Sequence, residues 1–257
     1  MNFSHTEAAR IRAIETAYAK AFPGLDHSWA GGWLLRAGDG ITERSNSAAP
    51  LEPAAWEEPL PLAQILAFYG HHNLPPRILV PDYLGKNSKF AAGRWVAGPE
   101  ILNLWRPLAG FVAPAAGEYF CRFSAQPDAQ WLSMYHFRGE PLPAAALNLL
   151  RQSIDGQMVF ASLCTPEGRT VAITRGTLTA DHEGELWLGY SAVEVDPAFR
   201  RRGLGTLLGS HVLAWGATHG ATRAYLQVLA ANEAGLALYS KLDFEKSHGH
   251  RYLQLEQ

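Results

Sequence analysis

The chain has 257 residues, of which 47% are hydrophobic and 18% charged, and its formal net charge is -2. A chain of this length can bury one large core or two small ones, and we expect two domains. The near-neutral charge excludes a broadly basic nucleic-acid-binding face, and no uninterrupted apolar run is long enough to span a membrane.

The first part of the chain predicts a helix, a hairpin, a second helix and a strand, in that order. Apolar residues at helical spacing indicate a helix over residues 6–21. Two short strand-like runs lie on either side of the Gly-Asp-Gly sequence at 38–40, which is typical of a hairpin turn. A helix over about 61–72 and a strand at 77–80 follow.

Residues 107–118 are the predicted linker, because they hold two prolines and two glycines. The linker divides the chain into domains at 1–115 and 116–257. The second domain is expected to begin at residues 119–123. The elements predicted to follow it are a helix over 142–152 and strands near 157–164, 169–178 and 185–195.

A basic, glycine-containing turn follows the last of these strands. Residues 193–206 run Val-Glu-Val-Asp-Pro-Ala-Phe-Arg-Arg-Arg-Gly-Leu-Gly-Thr, a strand end, a turn and the start of a helix. Gly203 and Gly205 have no Cβ, so backbone N–H groups can approach an anion, and the following helix presents its positive end to the same point. The arginines at 200–202 indicate a ligand with several phosphates.

The spacing of this turn narrows the class of phosphate ligand. There is no Walker A sequence, and the third glycine of a dinucleotide fingerprint is replaced by Leu208. Residues 200–205 match Arg/Gln-x-x-Gly-x-Gly/Ala, and the turn resembles the pyrophosphate-binding turn of the GNAT family of N-acetyltransferases.

A second motif of that family lies at the expected separation downstream. A helix over about 204–216 and a strand at 224–228 lead to Asn232, and a helix with the sequence Ala-Leu-Tyr follows. Asp243 stands where the family usually has glycine, a turn position that aspartate can also occupy. The resemblance covers the second half of the chain.

The resemblance implies an α/β (α+β) GNAT fold, in which a mixed sheet is flanked by helices. The strands ending at Val195 and Val228 would diverge and leave a cleft for acetyl-coenzyme A, with no metal required. The implied cofactor-binding residues are Val193, Glu194, Val195, Arg200, Arg201, Arg202, Gly203, Leu204, Gly205, Thr206, Asn232 and Tyr239.

The catalytic residues implied are Tyr239 as general acid and Glu194 as general base. Some family members have a glutamate base five residues before the asparagine, but this chain has Gln227 there, and an amide cannot take up a proton. His250, Glu185 or a base acting through water are the alternatives to Glu194. A solvated or ion-paired Glu194, and a Tyr239 that is only a half-buried helix aromatic, are the competing interpretations.

The first half resembles the amino-terminal module of bacterial tandem GNAT proteins, through Gly-Trp-Leu-Leu-Arg at 32–36 and Thr-x-Arg-Ser-Asn-Ser at 42–47. Residues 1–115 contain no Arg-x-x-Gly-x-Gly, so we expect a smaller, degenerate module that binds no acetyl-coenzyme A but shapes the acceptor pocket. Packing in the core or hairpin is the alternative for each candidate pocket residue. The candidates are Trp29, Trp33, Arg44, Asn46 and Trp56.

The predicted activity is N-acetylation by direct attack in a ternary complex. Transfer from another acyl-coenzyme A, or non-catalytic binding of one by a sensor or partner module, are the alternatives. A small amine is the expected acceptor and a protein the alternative, with no nucleic-acid or membrane partner and a monomeric or homodimeric state.

The histidines and cysteines complete these expectations. The pairs at 71–72 and 248/250 are interpreted as surface histidines, because no cysteine or carboxylate lies at ligand spacing beside them, and no metal is expected. No signal peptide is recognised, and Cys121 and Cys164 are isolated. Both features favour a cytoplasmic protein, although a single disulfide stays open.

Overall fold

The computed structural model describes residues 5–82, 95–137 and 140–256. The helices are α1 His5–Ala21, α2 Pro53–Glu57, α3 Leu62–His71, α4 Ala129–Met134, α5 Ala144–Leu150, α6 Leu204–Thr218 and α7 Glu233–Ser240. The strands are β1 Asp26–Ala30, β2 Trp33–Ala37, β3 Ala49–Pro50, β4 Arg77–Pro81, β5 Trp95–Ala97, β6 Ile101–Pro107, β7 Phe120–Ser124, β8 His136–Phe137, β9 Glu140–Pro141, β10 Gln157–Cys164, β11 Thr170–Ala180, β12 Leu186–Val195, β13 Arg223–Leu229 and β14 Glu245–Leu255.

A nine-stranded sheet forms the centre of the molecule. Its strands follow the order β4-β14-β6-β13-β12-β11-β10-β7, and β5 pairs with β14. The pair β12–β13 is parallel, whereas β13 and β14 pair with β6 in antiparallel fashion. The sheet is therefore mixed, as predicted.

Helices cover both faces of this sheet. Trp187 on β12 packs with Tyr225 against α1, while its neighbour Leu188 packs against α6. Successive residues of a strand point to opposite faces, so α1 and α6 lie on opposite sides. The predicted fold class is confirmed. In the part of the chain that the structure describes, no helix is long and apolar enough to cross a membrane.

The predicted linker contains no helix or strand between residues 108 and 118. The strand before it, β6, was not predicted. It lies between β13 and β14, so strands from both halves of the chain share one sheet. The sheet therefore continues across the proposed boundary at residue 115, and the division into two domains stays a prediction.

The predicted position of the first hairpin was wrong. β1 and β2 are joined at Gly31 and Gly32, which have φ of 50° and 78° and so suit a tight two-residue hairpin turn. The Gly-Asp-Gly sequence at 38–40 instead enters a loop. The Asn46 side chain accepts from the N–H groups of residues 38 and 40 and donates to the carbonyls of residues 38 and 42, which satisfies these backbone groups without a strand partner.

Two glycines let α6 lie close to β12. A Cβ at Gly209 would come within 2.8 Å of the Tyr190 hydroxyl, and one at Gly216 within 2.8 Å of Leu188 Cδ2. These close approaches fix the helix against the strand. The turn that precedes α6 is thereby held beside the end of β12.

The two cysteines lie on the paired strands β7 and β10 as free thiols. Burial raises the pKa of the Cys121 thiol to about 11, with a smaller contribution from Cys164. Cys121 is therefore protonated at neutral pH and a poor nucleophile. The disulfide left open by the sequence is not formed.

Candidate active site

The parallel strands β12 and β13 diverge and open a cleft. Their pairing runs from Trp187–Arg223 to Tyr190–Leu226 and ends there, although β12 continues to Val195. A cavity of about 550 Å³ lies between the separated ends. The divergence predicted from the sequence is present.

A β-bulge causes β12 to turn away from its neighbour. Ala192 has φ of 55°, and the register against β11 shifts so that Ser191 and Glu194 face Arg175 and Ile173. A bulge of this kind bends the strand and increases its twist. Beyond Tyr190, the edge of β12 that faces the cleft pairs with no strand among the described residues, so its backbone groups are available to an extended ligand.

The turn after β12 forms a cradle of backbone N–H groups, residues 201–206. Arg201 and Gly203 have φ of 65° and 76°, and α6 begins directly afterwards. The amides of 201–206 donate to no acceptor among the described residues. Free amides at the positive end of a helix bind anions such as phosphates. Leu204 directs its side chain into the core, so only its backbone faces the cradle.

The three arginines at 200–202 are exposed, and two of them stabilise the turn itself. Arg200 donates to the Val195 carbonyl at 3.1 Å, and Arg202 donates to the Ala198 carbonyl at 3.3 Å. Arg202 also lies over the Phe199 ring, 5.0 Å from its centroid. These contacts leave charged nitrogens in solvent beside the amides.

Helix α7 brings Asn232 and Tyr239 to the cavity. The Asn232 side chain accepts from the Gly235 N–H at 2.9 Å and so caps the helix. A Cβ at Gly205 would lie 2.7 Å from Leu238, so α7 packs directly against the cradle. Asn232 and Tyr239 line the cavity together with Val193 and Glu194 of β12.

Burial changes the acidity of both proposed catalytic groups. It raises the pKa of Tyr239 to about 12, an effect that Arg44 reduces and Glu194 increases. The phenol is therefore protonated at neutral pH and can donate a proton. Burial also raises the pKa of Glu194, while Arg200 and His136 lower it. A carboxylate with a raised pKa is a stronger base than an exposed one.

Gln227 connects the cavity wall to a buried cluster of charged and polar groups. Its Nε2 donates to Asn103 Oδ1 at 2.9 Å, and Asn103 Nδ2 lies 2.8 Å from His250 Nδ1. Behind them, Glu15 Oε1 lies 2.7 Å from His248 Nε2 and 3.3 Å from His250 Nδ1. We call Glu15, His248 and His250 the Glu15 cluster.

The prediction that His248 and His250 lie on the surface was wrong. Their exposed fractions are 3% and 0%, because β14 lies inside the sheet and α1 covers it. Glu15 is the carboxylate partner, and it is more than two hundred residues away in sequence. No spacing within the motif around residue 250 could have shown it.

The Glu15 cluster is held by charge and hydrogen bonds. Burial alone would raise the pKa of Glu15, but His250 and His248 lower it to about 2. Burial lowers the pKa of His248, which favours a neutral ring that donates Nε2–H to the carboxylate. The three ligand-type atoms lie within 4.8 Å of one another, so the cluster contains groups that bind metals. The 2.7 Å separation is that of a hydrogen bond.

The other candidate bases lie away from the cleft. His250 is separated from it by Asn103 and Gln227. Glu185 forms an ion pair with Arg223 and lines a different cavity. Among the described candidates, Glu194 is the carboxylate that lines the cleft.

Of the five candidates for an acceptor pocket, only Arg44 lines the cavity. Trp33 is in the core, Asn46 is tied into the loop described above, Trp29 is 53% exposed, and Trp56 donates to the Pro50 carbonyl. Sequence reasoning missed several lining residues that come from distant segments and carry no motif. They are Phe22, Ile41, Tyr135, His136, Leu142 and Leu149.

Comparison with known proteins places the chain in a family. The family model described as "Probable histone acetyltransferase Rv0428c C-terminal" matches residues 8–253. The "Probable histone acetyltransferase Rv0428c" of Mycobacterium tuberculosis is 34% identical over 246 residues, which cover 95% of this chain and 74% of the relative. The "Uncharacterized N-acetyltransferase YobR" of Bacillus subtilis is 24% identical over 251 residues, covering 94% of this chain and 97% of the relative.

Two solved structures share the fold over nearly the whole chain. A GCN5-related N-acetyltransferase from Kribbella flavida has a TM-score of 0.65 at 14% identity and covers 98% of this chain and 95% of its own. A tandem GNAT protein from the clavulanic acid biosynthesis pathway has a TM-score of 0.63 at 14% identity and covers 95% of this chain and 87% of its own. With the family match over residues 8–253, the chain belongs to the Rv0428c-type acetyltransferase family and is an N-acetyltransferase of the GNAT fold.

Proposed function

We propose that the protein transfers the acetyl group of acetyl-coenzyme A to an amine by direct attack in a ternary complex. The observation that carries this proposal is the cavity between the diverging ends of β12 and β13, which Glu194 and Tyr239 both line. The cradle of free amides lies at the adjoining end of β12. A base, an acid and an anion site are thus adjacent.

The cofactor would lie across the ends of the two strands. The amides of the cradle would hold its pyrophosphate, and the exposed arginines would contact its remaining phosphate. The free edge of β12 after the bulge would pair with the amide groups of the pantetheine arm as a strand does. Asn232, at the start of α7, is close enough to the same cavity to contact that arm.

The reaction would need three contributions from the protein. Glu194 takes the proton that the amine loses as its nitrogen attacks the thioester carbonyl. A backbone N–H near Val195 stabilises the oxyanion of the tetrahedral intermediate. The intermediate then collapses, the carbon–sulfur bond breaks, and Tyr239 donates its proton to the departing thiolate. Glu194 then releases the amine's proton to solvent, and the Tyr239 phenolate takes up a proton from solvent, so both groups are restored for the next turnover.

Gln227 bears on the alternative of a non-catalytic coenzyme-binding module. Gln227 occupies the position at which some GNAT proteins have a glutamate base. Its amide cannot act as a base and donates a hydrogen bond to Asn103. A protein that only binds the coenzyme would need neither a base nor Tyr239. The cytoplasmic location, the oligomeric state and the acceptor, whether a small amine or a protein, stay predictions.

Calorimetric titration with acetyl-coenzyme A tests the cofactor site. Gly203→Glu places a carboxylate in the cradle, and Gly110→Glu is the matched control, because both glycines have positive φ and open space around the Cβ position. We expect micromolar binding to the wild type and to the control, and none to Gly203→Glu. Absence of wild-type binding would refute the proposal.

Turnover tests the catalytic assignment. Coenzyme A release is followed with a panel of free amino acids, amino acid amides, polyamines and lysine peptides as acceptors. Tyr239→Phe should lower kcat by about 100-fold or more, with acetyl-coenzyme A affinity retained. Tight binding of the coenzyme without turnover of any acceptor would favour the non-catalytic alternative.

A further inference from the structure

Arg44 is held at the cavity by a rigid loop. It lies in a short 3-10 turn, Glu43–Ser45, whose Thr42 cap accepts from the Arg44 N–H at 3.4 Å. The four hydrogen bonds of Asn46 fix the same loop. The Arg44 side chain is therefore directed to the cavity by the backbone that carries it.

The Arg44 guanidinium has no hydrogen-bond acceptor in the described part of the protein. No described carboxylate oxygen lies within 4.0 Å of it. The guanidinium lies 5.7 Å from the centroid of the Phe22 ring, and several phenols, those of Tyr18, Tyr252, Tyr135 and Tyr239, are near enough to interact with its charge. By contrast, Arg36 donates to the Ser47 hydroxyl and to two carbonyls. The Arg44 nitrogens are not among the buried atoms that lack a partner, so its five N–H donors open onto the cavity, where a ligand can supply acceptors.

The distribution of charge in the cavity indicates which ligand fits. Among the lining residues described, Arg44 is the only lysine or arginine and Glu194 the only carboxylate. Arg175 adds a second cation behind the cavity, 4.8 Å from the Phe22 centroid. The part of the cavity beside Arg44 therefore attracts an anionic group and repels an ammonium. The part beside Glu194 on β12 attracts an ammonium and repels an anion.

An anion bound at Arg44 would be distinct from the cofactor's pyrophosphate. The cradle at 201–206 forms no part of the cavity lining, and Arg44 belongs to the wall contributed by the first half of the chain. Arg44, Glu194 and Tyr239 all line this cavity, and the charges of Arg44 and Glu194 respectively lower and raise the pKa of the Tyr239 phenol. A molecule in that space can contact Arg44 at one end and Glu194 at the other.

We propose that Arg44 binds a carboxylate of the acceptor, so that the acceptor is a small molecule with both an amine and a carboxylate, such as a free amino acid. This inference rests on the proposed function. A planar guanidinium binds a carboxylate through two parallel hydrogen bonds, which fixes its orientation as well as its position. The amine is then directed to Glu194 and the thioester. A cavity of about 550 Å³ suits a ligand of this size.

The experiment compares matched acceptors that differ only in this group. Each free amino acid is paired with its carboxamide, and coenzyme A release gives kcat/KM for wild type, Arg44→Gln and Arg44→Lys. The control is Arg251→Gln, because Arg251 pairs with Glu100 outside the cavity. We expect the wild type to prefer at least one carboxylate by about tenfold or more, and Arg44→Gln to bring that ratio near one. Arg44→Lys should give an intermediate ratio, since it keeps the charge but loses the fork.

Two further readouts separate the possible failures. Acetyl-coenzyme A affinity and thermal stability, measured on every variant, show whether Arg44→Gln folds and holds the cofactor. Calorimetric binding of the amino acids in the presence of coenzyme A is measured whether or not turnover occurs. Equal use or equal binding of carboxylate and carboxamide, or turnover confined to polyamines and lysine peptides, overturns the assignment of Arg44. Failure of the wild type to bind acetyl-coenzyme A would instead refute the proposed function.

Discussion

Replacing Glu15 by glutamine should destabilise the protein in a pH-dependent way. In the folded protein the pKa of Glu15 is lowered from 4.5 to about 2. A difference of about 2.5 between the unfolded and folded pKa corresponds to ~3 kcal/mol of stability at neutral pH. Removing one partner of a buried ion cluster has a cost of the same order. We expect Glu15→Gln to lose about this amount of its free energy of unfolding at pH 7.

The sign of the pH dependence follows from the direction of the shift. Because the folded pKa lies below the unfolded one, the contribution of Glu15 is complete above pH 4.5 and is lost as the pH falls toward 2. The difference between wild type and Glu15→Gln should therefore shrink by about 1 kcal/mol between pH 7 and about pH 3.5. Asn103 and Gln227 adjoin the cluster, so the same variant should also weaken the wall of the cleft.

Urea denaturation at a series of pH values provides the measurement. The matched control is Glu118→Gln, since Glu118 is exposed on the irregular segment after β6. Its free energy of unfolding should remain within about 0.5 kcal/mol of the wild type. If the two variants are equally stable at pH 7, or if the deficit of Glu15→Gln grows on acidification, the assignment of an ionised Glu15 to the cluster is incorrect.

Two other predictions concern the catalytic groups and the cradle. Because burial raises the pKa of Glu194, kcat/KM should fall as the pH drops through that raised value, and the pH–rate profile of Glu194→Gln should lack this acidic limb. The pKa of the Tyr239 phenol is raised to about 12, so the profile should show no alkaline limb below pH 10. Gly209→Ala forces a Cβ against Tyr190 and should lower the free energy of unfolding by ~1–3 kcal/mol and weaken acetyl-coenzyme A binding. Gly70→Ala is the control and should not destabilise the protein, because nothing lies within 4 Å of its added Cβ. Thermal unfolding measures the stability of both variants, and calorimetry measures their binding.

The elements in the second half of the chain could be predicted closely, because short stretches of sequence there specify the turn and the helix that follows it. The glycines of the cradle require positive φ or close packing, and the apolar spacing after Gly203 specifies α6. The strand predicted at 157–164 coincides with β10. Near the amino terminus, two glycine-rich sequences compete for one hairpin turn. The sequence alone could not show that Asn46 would satisfy the second one as a loop.

The features that sequence reasoning missed depend on contacts between distant segments. β6 has no motif of its own, and its place between β13 and β14 is decided by pairing with strands more than a hundred residues later. Likewise, Glu15 joins His248 only because α1 packs over β14. Among the residues that line the cavity, Arg44 was a candidate from its sequence context. Tyr135 and His136 were not, because nothing in their segment of the sequence indicates a site.

The Glu15 cluster explains why a glutamine suits position 227. A carboxylate there would face Asn103, whose amide already lies beside the ionised Glu15 and His250. A second buried negative charge so close to the first would be repelled and desolvated, and its pKa would rise. The amide of Gln227 instead donates to Asn103 and adds no charge. Under these conditions a base is better placed on β12, where Glu194 faces the cavity with only partial burial and is separated from the Glu15 cluster by the wall that Gln227 forms.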